Sequence, residues 1–552
     1  MVAAPTLIDP SGLPIAAKDI ARIRARAGLS PGGWEGVQPY DAASVTSQDL
    51  SSWLPTIRSP DTELNIHRDR MVSRARDLVR NDGWANGVVD RILDNAIGSQ
   101  FRLSSKPDYR ALVRQCAALD ETWAAEFGSA VEAEWRLYSE DVGRWCDASR
   151  TQTMTQMFSV ALAQKLIDGD SIAIMEWLPE QKGFGAARYA TAVNLVDSDR
   201  LSNPYDVPDE AHLRGGIEVN HFGAPHAYHI RRAHQNDFYL TVQSMIWDRI
   251  ERETPWGRPI VVHDFDRRYR ATQHRGTSIF APILGTFKML NRYDSAELQA
   301  AVLQTVMAFF IESPYDQDDF AEALSENSGD LKTYQGLRMG FHDHNPVMAG
   351  GARIPKLFPG EKINTVTATR PSSHFDAFEH AVLRRMAAST GASAEQISQD
   401  WSKTNYSSAR AALLESWKTL IRRRTDFAIG TASPIFAAWL EEAVEGPLKS
   451  LMPRRAPEFP EFRSAYARCR WIGPGRGWVD PVKERQGAVL GLDAGFSTLE
   501  NEAAEQGHDW EEVLHQRAKE VGMMKNLDLN LPEWAGVADL SAAQVSAKPQ
   551  PV

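Results

Sequence analysis

The stretch FHDHN sets His342 and His344 two positions apart, with Asp343 between them. Two imidazoles and a carboxylate at that spacing can hold a divalent ion once another element adds a ligand. Upstream, Asp316, Asp318, Asp319, Glu322, Glu326 and Asp330 run without a basic residue before Lys332. Gathered carboxylates can seat Mg²⁺, and two such ions would make a nuclease or hydrolase centre. The plainer reading of both stretches is a solvated polar face. His221, His226 and His229 could meet across a hairpin, although strand pairing alone accounts for their spacing.

No motif completes such a centre. The chain has no GxxxxGK[ST] loop, no HExxH, no GxSxG and no GxGxxG after a strand. We therefore expect no catalytic residue, no bound metal and no cofactor. Three cysteines, Cys116, Cys146 and Cys469, form no CxxC pair and no even framework, so a reducing compartment is the default.

The cations suit contact better than chemistry. Arg267, Arg268 and Arg270 lie in DFDRRYR, Arg384 and Arg385 in VLRRM, and Arg422, Arg423 and Arg424 in LIRRRT. A guanidinium can clamp phosphate, and near a helix C-terminus it also complements the macrodipole. We read Arg384, Arg385, Arg422, Arg423 and Arg424 as contacts to DNA or to a neighbouring subunit. The polar stretch GASAEQISQDWSKTNYSS (391–408) carries Gln399, Lys403, Thr404 and Asn405, and Lys403 is its lone cation. One Lys per chain is a weak signal. Repeated around a ring, it becomes a belt of brief contacts.

The elements that must hold these residues are mostly helical. Residues 73–97 carry apolar positions at helical spacing, with a break at Asn81-Asp82-Gly83 and a stop at Gly98. From Asp168, short β-rich runs alternate with turns, including a hairpin around Gly223-Ala224-Pro225. A helix over 282–312, opened by Pro282, would be about 46 Å long. A second helix, 373–390, buries Phe375, Phe378, Val382, Leu383 and Met386, and a third runs from about 409 to 445. The fold class is α+β.

Formal net charge is −11, with 43% hydrophobic and 24% charged residues. That sign is wrong for a protein that wraps DNA but suits a surface past which DNA must slide. The longest apolar run, 300–311, contains Gln304 and is too short to span a bilayer. No signal pattern opens the chain, so we expect a soluble protein in the cytoplasm. Two long apolar-faced helices bracketing an excursion expose too much for a monomer, and a closed heterologous ring would bury them.

Eight segments carry a resemblance. They are RARDLVRNDGWANGVVDRILDNAIGS (74–99), QKLIDGDSIAIMEW (164–177), VNLVDSDRLSNP (193–204), GIEVNHFGAPHAYHI (216–230), VVHDFDRRYRATQHRGTSIFAPIL (261–284), PGEKINTV (359–366), ISQDWSKTNYSSARAALLESW (397–417) and GWVDPVKE (477–484). In this order they resemble the lambda family of phage portal proteins.

The resemblance implies a ring of twelve copies at one capsid vertex through which double-stranded DNA enters and leaves. It implies docking of the terminase large subunit and of head–tail connector proteins. It also implies partnership with scaffold and major capsid protein, assembly in the host cytoplasm and residence in the virion. It further implies a flexible arm at 1–60, a wing at 61–275 and a first stem helix at 276–312. A clip follows at 313–372, then a second stem helix at 373–390 and a tunnel loop at 391–408. Wing completion and a helical crown occupy 409–525, and a flexible tail 526–552. Two other readings remain at this point: a metal-dependent enzyme using 316–344, and a monomeric acidic adaptor.

Overall fold

The computed structural model describes residues 42, 48–183, 187–267, 269–310, 340, 347–349, 352–354, 375–402, 404–477 and 481–530 of the 552. Met1–Ser59 is a unit of its own. Within it, the Trp53 N–H donates to the Leu50 carbonyl at 3.0 Å.

The second unit opens with α1 (Pro60–Asn81), where a proline loses nothing by lacking an N–H. Asp82 is extended, and its carboxylate accepts the Ala85 N–H at 2.9 Å. It thus ends α1 and caps α2 (Gly83–Ala96). The break at Asn81-Asp82-Gly83 is where the sequence placed it. Gly98 has φ +64, the left-handed stop expected after α2.

β1 (Arg102–Ser105) precedes α3 (Glu121–Ser139) and α4 (Met154–Ile167). Both helices are capped by side chains, Asp120 for α3 and a Thr153/Gln156 capping box for α4. β2 (Asp170–Trp177) then forms the centre of a three-stranded antiparallel sheet, between β3 (Thr191–Val196) and β8 (Val261–Phe265). Its first six residues are all buried, so this strand shows no polar face.

Between β3 and β8 lie β4 (Leu213–Arg214), β5 (Ile217–Val219), β6 (Pro225–Arg231) and β7 (Trp247–Glu251). They form a four-stranded antiparallel sheet in chain order. The β5–β6 turn is the expected hairpin. Asn220 accepts the N–H groups of Phe222 and Ala224, and Gly223 sits at φ +78. Ile172, Val196, Leu201, Ile217, Tyr228, Ile230 and Val261 fill a core of their own at the two sheets.

α5 (Leu284–Phe310) is shorter than the 282–312 helix read from sequence. Pro282 lies in the preceding turns, where the Ile283 N–H donates to the Phe280 carbonyl. Phe280, Ile283, Phe287 and Leu290 are buried, whereas Met289, Leu298 and Val302 stand exposed. β9 (Val347–Ala349) and β10 (Ala352–Ile354) pair antiparallel. α6 (Phe375–Thr390), α7 (Ala394–Ser398) and α8 (Tyr406–Phe427) follow.

The single helix expected over 409–445 is interrupted. α8 passes through a π-helical turn at Ala428–Ala432 into α9 (Ser433–Glu445). Pro434 in the first turn of α9 has no N–H to continue the ladder, and a wider turn accommodates that loss. α9 brings Phe436 and Trp439 into the main core. The Trp439 ring lies 5.0 Å from that of Trp135 on α3.

β11 (Cys469–Ile472) pairs antiparallel with β1 and closes this core from far along the chain. α10 (Pro481–Asp493), α11 (Leu499–Glu505) and α12 (Trp510–Asn526) complete the described residues. The class is α+β with open sheets. No described helix is long and apolar enough to cross a membrane.

Candidate functional site

The polar stretch after α6 is more built than its composition conveys. α6 stops at Gly391, φ +76. A β-carbon there would lie 2.7 Å from the Thr419 methyl of α8. Ser393 and Gln396 form a capping box that starts α7. Ile397 turns inward and is buried, with Ala392 and Ala394 packed beside the core. Gln399 ends α7 in the left-handed region at φ 56, and its side chain donates to the Gln396 carbonyl at 2.6 Å.

The Asp400 carboxylate then takes the Ser402 N–H at 2.9 Å and the Ser402 hydroxyl at 2.6 Å. Asn405 caps α8 by accepting the Ser408 N–H at 2.8 Å. The outward part of the segment is therefore short. Gln399, Trp401, Ser402 and Asn405 are exposed, and Thr404 is half-buried. Lys403 lies outside the described residues. Between α6 and α8 the segment thus holds a capped turn of helix and a turn closed by the Asp400 side chain.

The arginines divide. Arg384 and Arg385 on α6 are exposed, and Arg384 also donates to the His380 carbonyl at 3.2 Å. Arg422 is exposed and lies 3.7 Å from Asp426. Arg423 is buried and donates to the Thr390 carbonyl at 2.6 Å, tying α8 to the end of α6. Arg424 donates to the carbonyls of Ala96 (3.0 Å), Asn95 (2.7 Å) and Pro474 (2.7 Å).

Arg424 stands in the last turn of α8, which passes without a break into the π-helical turn. Arg424 does serve a helix C-terminus, but that of α2. Burial lowers its guanidinium to about 10, and it stays charged against the negative end of α2.

Elsewhere in the second unit lies a buried polar core that sequence reasoning missed. Asp170, fully buried, meets Arg68 Nη2 at 3.0 Å and Arg275 Nε at 2.5 Å. Arg275 further donates to the carbonyls of Leu201 (2.7 Å), Gly215 (2.7 Å) and Ser198 (2.8 Å). Burial would raise the Asp170 carboxyl, but the charges of Arg68 and Arg275 overcome it and hold the group well below its usual range.

Asp61, in the first turn of α1, accepts the backbone N–H of His274 (3.0 Å) and faces its ring Nδ1 (2.8 Å). Gly169 and Gly276 cross so closely that a β-carbon on either would strike the other's backbone. The DGD and HRGT segments, both within the resemblance, carry this junction. The glycines were the signal that could have found it.

The histidines of the hairpin do not converge. His229 pairs with Glu218 at 2.8 Å, His226 lies 4.0 Å from Glu251, and His221 packs on Phe222. His342, Asp343, His344 and the acidic run 316–330 lie outside the described residues. Among the described residues, Asp197, Asp199 and His234 bring ligand atoms within 4.8 Å of one another. Gln164 already donates to Asp197 (2.9 Å) and Arg76 to Asp199 (2.7 Å).

Comparison with known proteins settles the class. Residues 46–424 match the family described as phage portal protein, lambda family. Portal protein B of Escherichia phage lambda is 32% identical over 549 residues, covering 99% of this chain and 97% of that protein. The portal protein of Escherichia phage N15 is 33% identical over 494 residues, covering 89% and 91%. Among solved structures, the neck of an empty gene transfer agent particle computed with C6 symmetry matches at TM-score 0.37 and 15% identity. That match covers 82% of this chain and 96% of the other.

The chain belongs to the lambda family of phage portal proteins. It is a structural component of the phage DNA-packaging portal and not an enzyme.

Proposed function

We propose that twelve copies of this chain close into a ring at one capsid vertex and that double-stranded DNA passes through its centre during packaging and ejection. Likeness over nearly the whole length of two portal proteins carries this reading. The exposed apolar residues Met289, Leu298 and Val302 on α5 and Phe378 on α6 support it. A subunit in a heterologous ring covers such faces with its neighbours.

In this reading the segment 391–408 lines the channel, and Gln399, Lys403, Thr404 and Asn405 brush the DNA. Arg384, Arg385 and Arg422 are the exposed cations that meet DNA or the next subunit. Arg423 and Arg424 hold α8 in place. The wing (61–275), stem helices (276–312 and 373–390), clip (313–372) and crown (within 409–525) follow the family plan. The ring docks the terminase large subunit while the head fills, and head–tail connector proteins afterwards. Scaffold and major capsid protein guide its assembly in the host cytoplasm.

Electron microscopy of the purified chain tests the ring directly: closed rings are expected, and a monomer at micromolar concentration would sink the reading. Replacing Lys403 and Thr404 together by Ala leaves Ile397, the left-handed cap at Gln399 and the Asn405 cap untouched. Rings should still form, while packaging or retention of DNA falls. Unchanged packaging would remove this segment from the channel wall.

A further inference from the structure

A second feature concerns phosphate and stands whether or not a ring forms. A cavity of about 510 Å³ opens beside the β5–β6 turn, between β6, β8 and the π-turn. In a chain of net charge −11, its lining is basic. Arg252, Arg267 and His274 line it, burial lowers the His263 imidazole beside them, and Glu253 is the one carboxylate among its described lining residues.

Most arginines of this region already serve carboxylates. Arg232 pairs with Asp248, Arg249 with Glu218, and Arg270 with Glu63. Arg252 and Arg267 have no carboxylate partner among the described residues. The Arg267 guanidinium carbon lies 4.7 Å from the centroid of the Phe265 ring, a cation–π contact that helps hold it in place.

The floor adds a neutral donor and a third positive group. Tyr228 is 3% exposed. Burial pushes its hydroxyl up to about 12 against the opposing charges of Arg252 and Arg267, so it keeps its proton. His274 directs Nδ1 at the Asp61 carboxylate (2.8 Å) and Nε2 at the Gly223 carbonyl (3.0 Å). Two acceptors on one ring call for two N–H donors, which is an imidazolium.

We propose that this cavity is a phosphate-binding site, with Arg252 and Arg267 as the clamping groups and the Tyr228 hydroxyl as the floor donor. A carboxylate has two oxygens for these donors, whereas a phosphate group offers three or four and can satisfy both guanidinium forks and the phenol. The volume exceeds that of a bare phosphate. The group can therefore arrive free, on a nucleotide or within a DNA strand.

Calorimetric titration of the full-length protein with inorganic phosphate tests the site, with acetate as the carboxylate control. Phosphate should bind saturably. Arg252→Gln and Arg267→Gln, both at exposed positions, should each weaken it about tenfold by removing one charge-assisted contact. Tyr228→Phe should weaken it about threefold, by one neutral hydrogen bond. No saturable binding, equal competition by acetate, or unchanged affinity in both arginine variants would overturn the proposal.

A duplex oligonucleotide and a mononucleotide then separate the sources. Competition by the duplex that disappears in the double arginine variant assigns the site to the DNA backbone. Competition by the mononucleotide alone assigns it to a free phosphate monoester. Either result supports the shared chemistry.

Discussion

Arg275 Nε lies 2.5 Å from Asp170 Oδ2, and neither side chain reaches water. A fully buried ion pair is costly to assemble, and its loss by one partner is costlier still. Here the guanidinium also closes three backbone carbonyls, those of Ser198, Leu201 and Gly215. Ser198 and Leu201 lie in the segment from β3 toward β4, and Gly215 in the β4–β5 turn, so one side chain ties the exit of one sheet to the other.

Asp170→Asn and Arg275→Met should therefore each destabilise the fold by about 3–5 kcal/mol. Arg275→Lys should rescue little, because an ammonium has three N–H donors and no planar fork. Urea unfolding followed by circular dichroism measures this. A loss below about 1 kcal/mol in both variants would mean that the junction relaxes around the missing charge.

Gly430 offers a second test. A β-carbon there would overlap the Asp264 carboxylate, which is held by Lys165 Nζ (2.7 Å) and the Thr431 hydroxyl (3.0 Å). Gly430→Ala should cost about 1–3 kcal/mol, as overpacking does. Gly87 in α2 has open space around its missing β-carbon. Gly87→Ala should instead stabilise by about 0.5–1 kcal/mol. Thermal melting of the two variants should shift in opposite directions, and equal shifts would show that the close approach at Gly430 is soft.

These two sites show where sequence reading reaches and where it stops. The α1–α2 break, the β5–β6 hairpin and the bodies of α5 and α6 were legible because local residues decide them: Asp82 as cap, Asn220 and Gly223 in the turn, and Leu290, Val382 and Met386 at helical spacing. The π-turn was not. Its causes are Pro434 nearby and Asp264 on a strand far back in the chain, and only the fold joins them.

Nothing in the sequence marks Arg68, Asp170 and Arg275 as a buried cluster, because a charge is burial-averse until its partner is known. At 391–408 the polar composition concealed Ile397, whose single inward side chain makes the segment part of the core.

The attachment of α12 should depend on pH. Its first turn meets the body through Glu512 with Arg102 (2.8 Å) and Arg136 (2.5 Å), and through Glu511 with Lys106 (3.1 Å). Glu132 on α3 accepts the Ser105 N–H beside them at 2.7 Å. Burial raises its carboxyl from 4.5 to about 7, with Asp509 and Glu511 adding to the rise.

A carboxyl raised on folding contributes stability that is fully present below its unfolded value and lost as pH rises through its folded value. The window is therefore about 4.5 to 7, and the fold should lose about 3 kcal/mol across it, the share owed to Asp509 and Glu511 falling on the docking of α12. Glu132→Gln should flatten this dependence while holding the weakly exposed geometry. Hydrogen exchange of residues 510–526 between pH 5.5 and 8 reads the effect. An unchanged pH slope in the variant would assign the dependence to other groups.

The last prediction concerns α5. Leu298 is 68% exposed and Val302 48% exposed, one helical turn apart on the same face. In the proposed ring a neighbouring copy covers both, each contributing about 1.5–3 kcal/mol. Replacing both with Glu removes that gain and places two carboxylates where they must lose water. Both side chains are exposed in the subunit, so its helical circular dichroism should hold. Assembly should weaken at least a hundredfold, on the order of 3 kcal/mol or more. Sedimentation velocity across a dilution series separates the two effects. Rings persisting at the dilution where the parent chain remains assembled would place this face against solvent and move the subunit contact elsewhere.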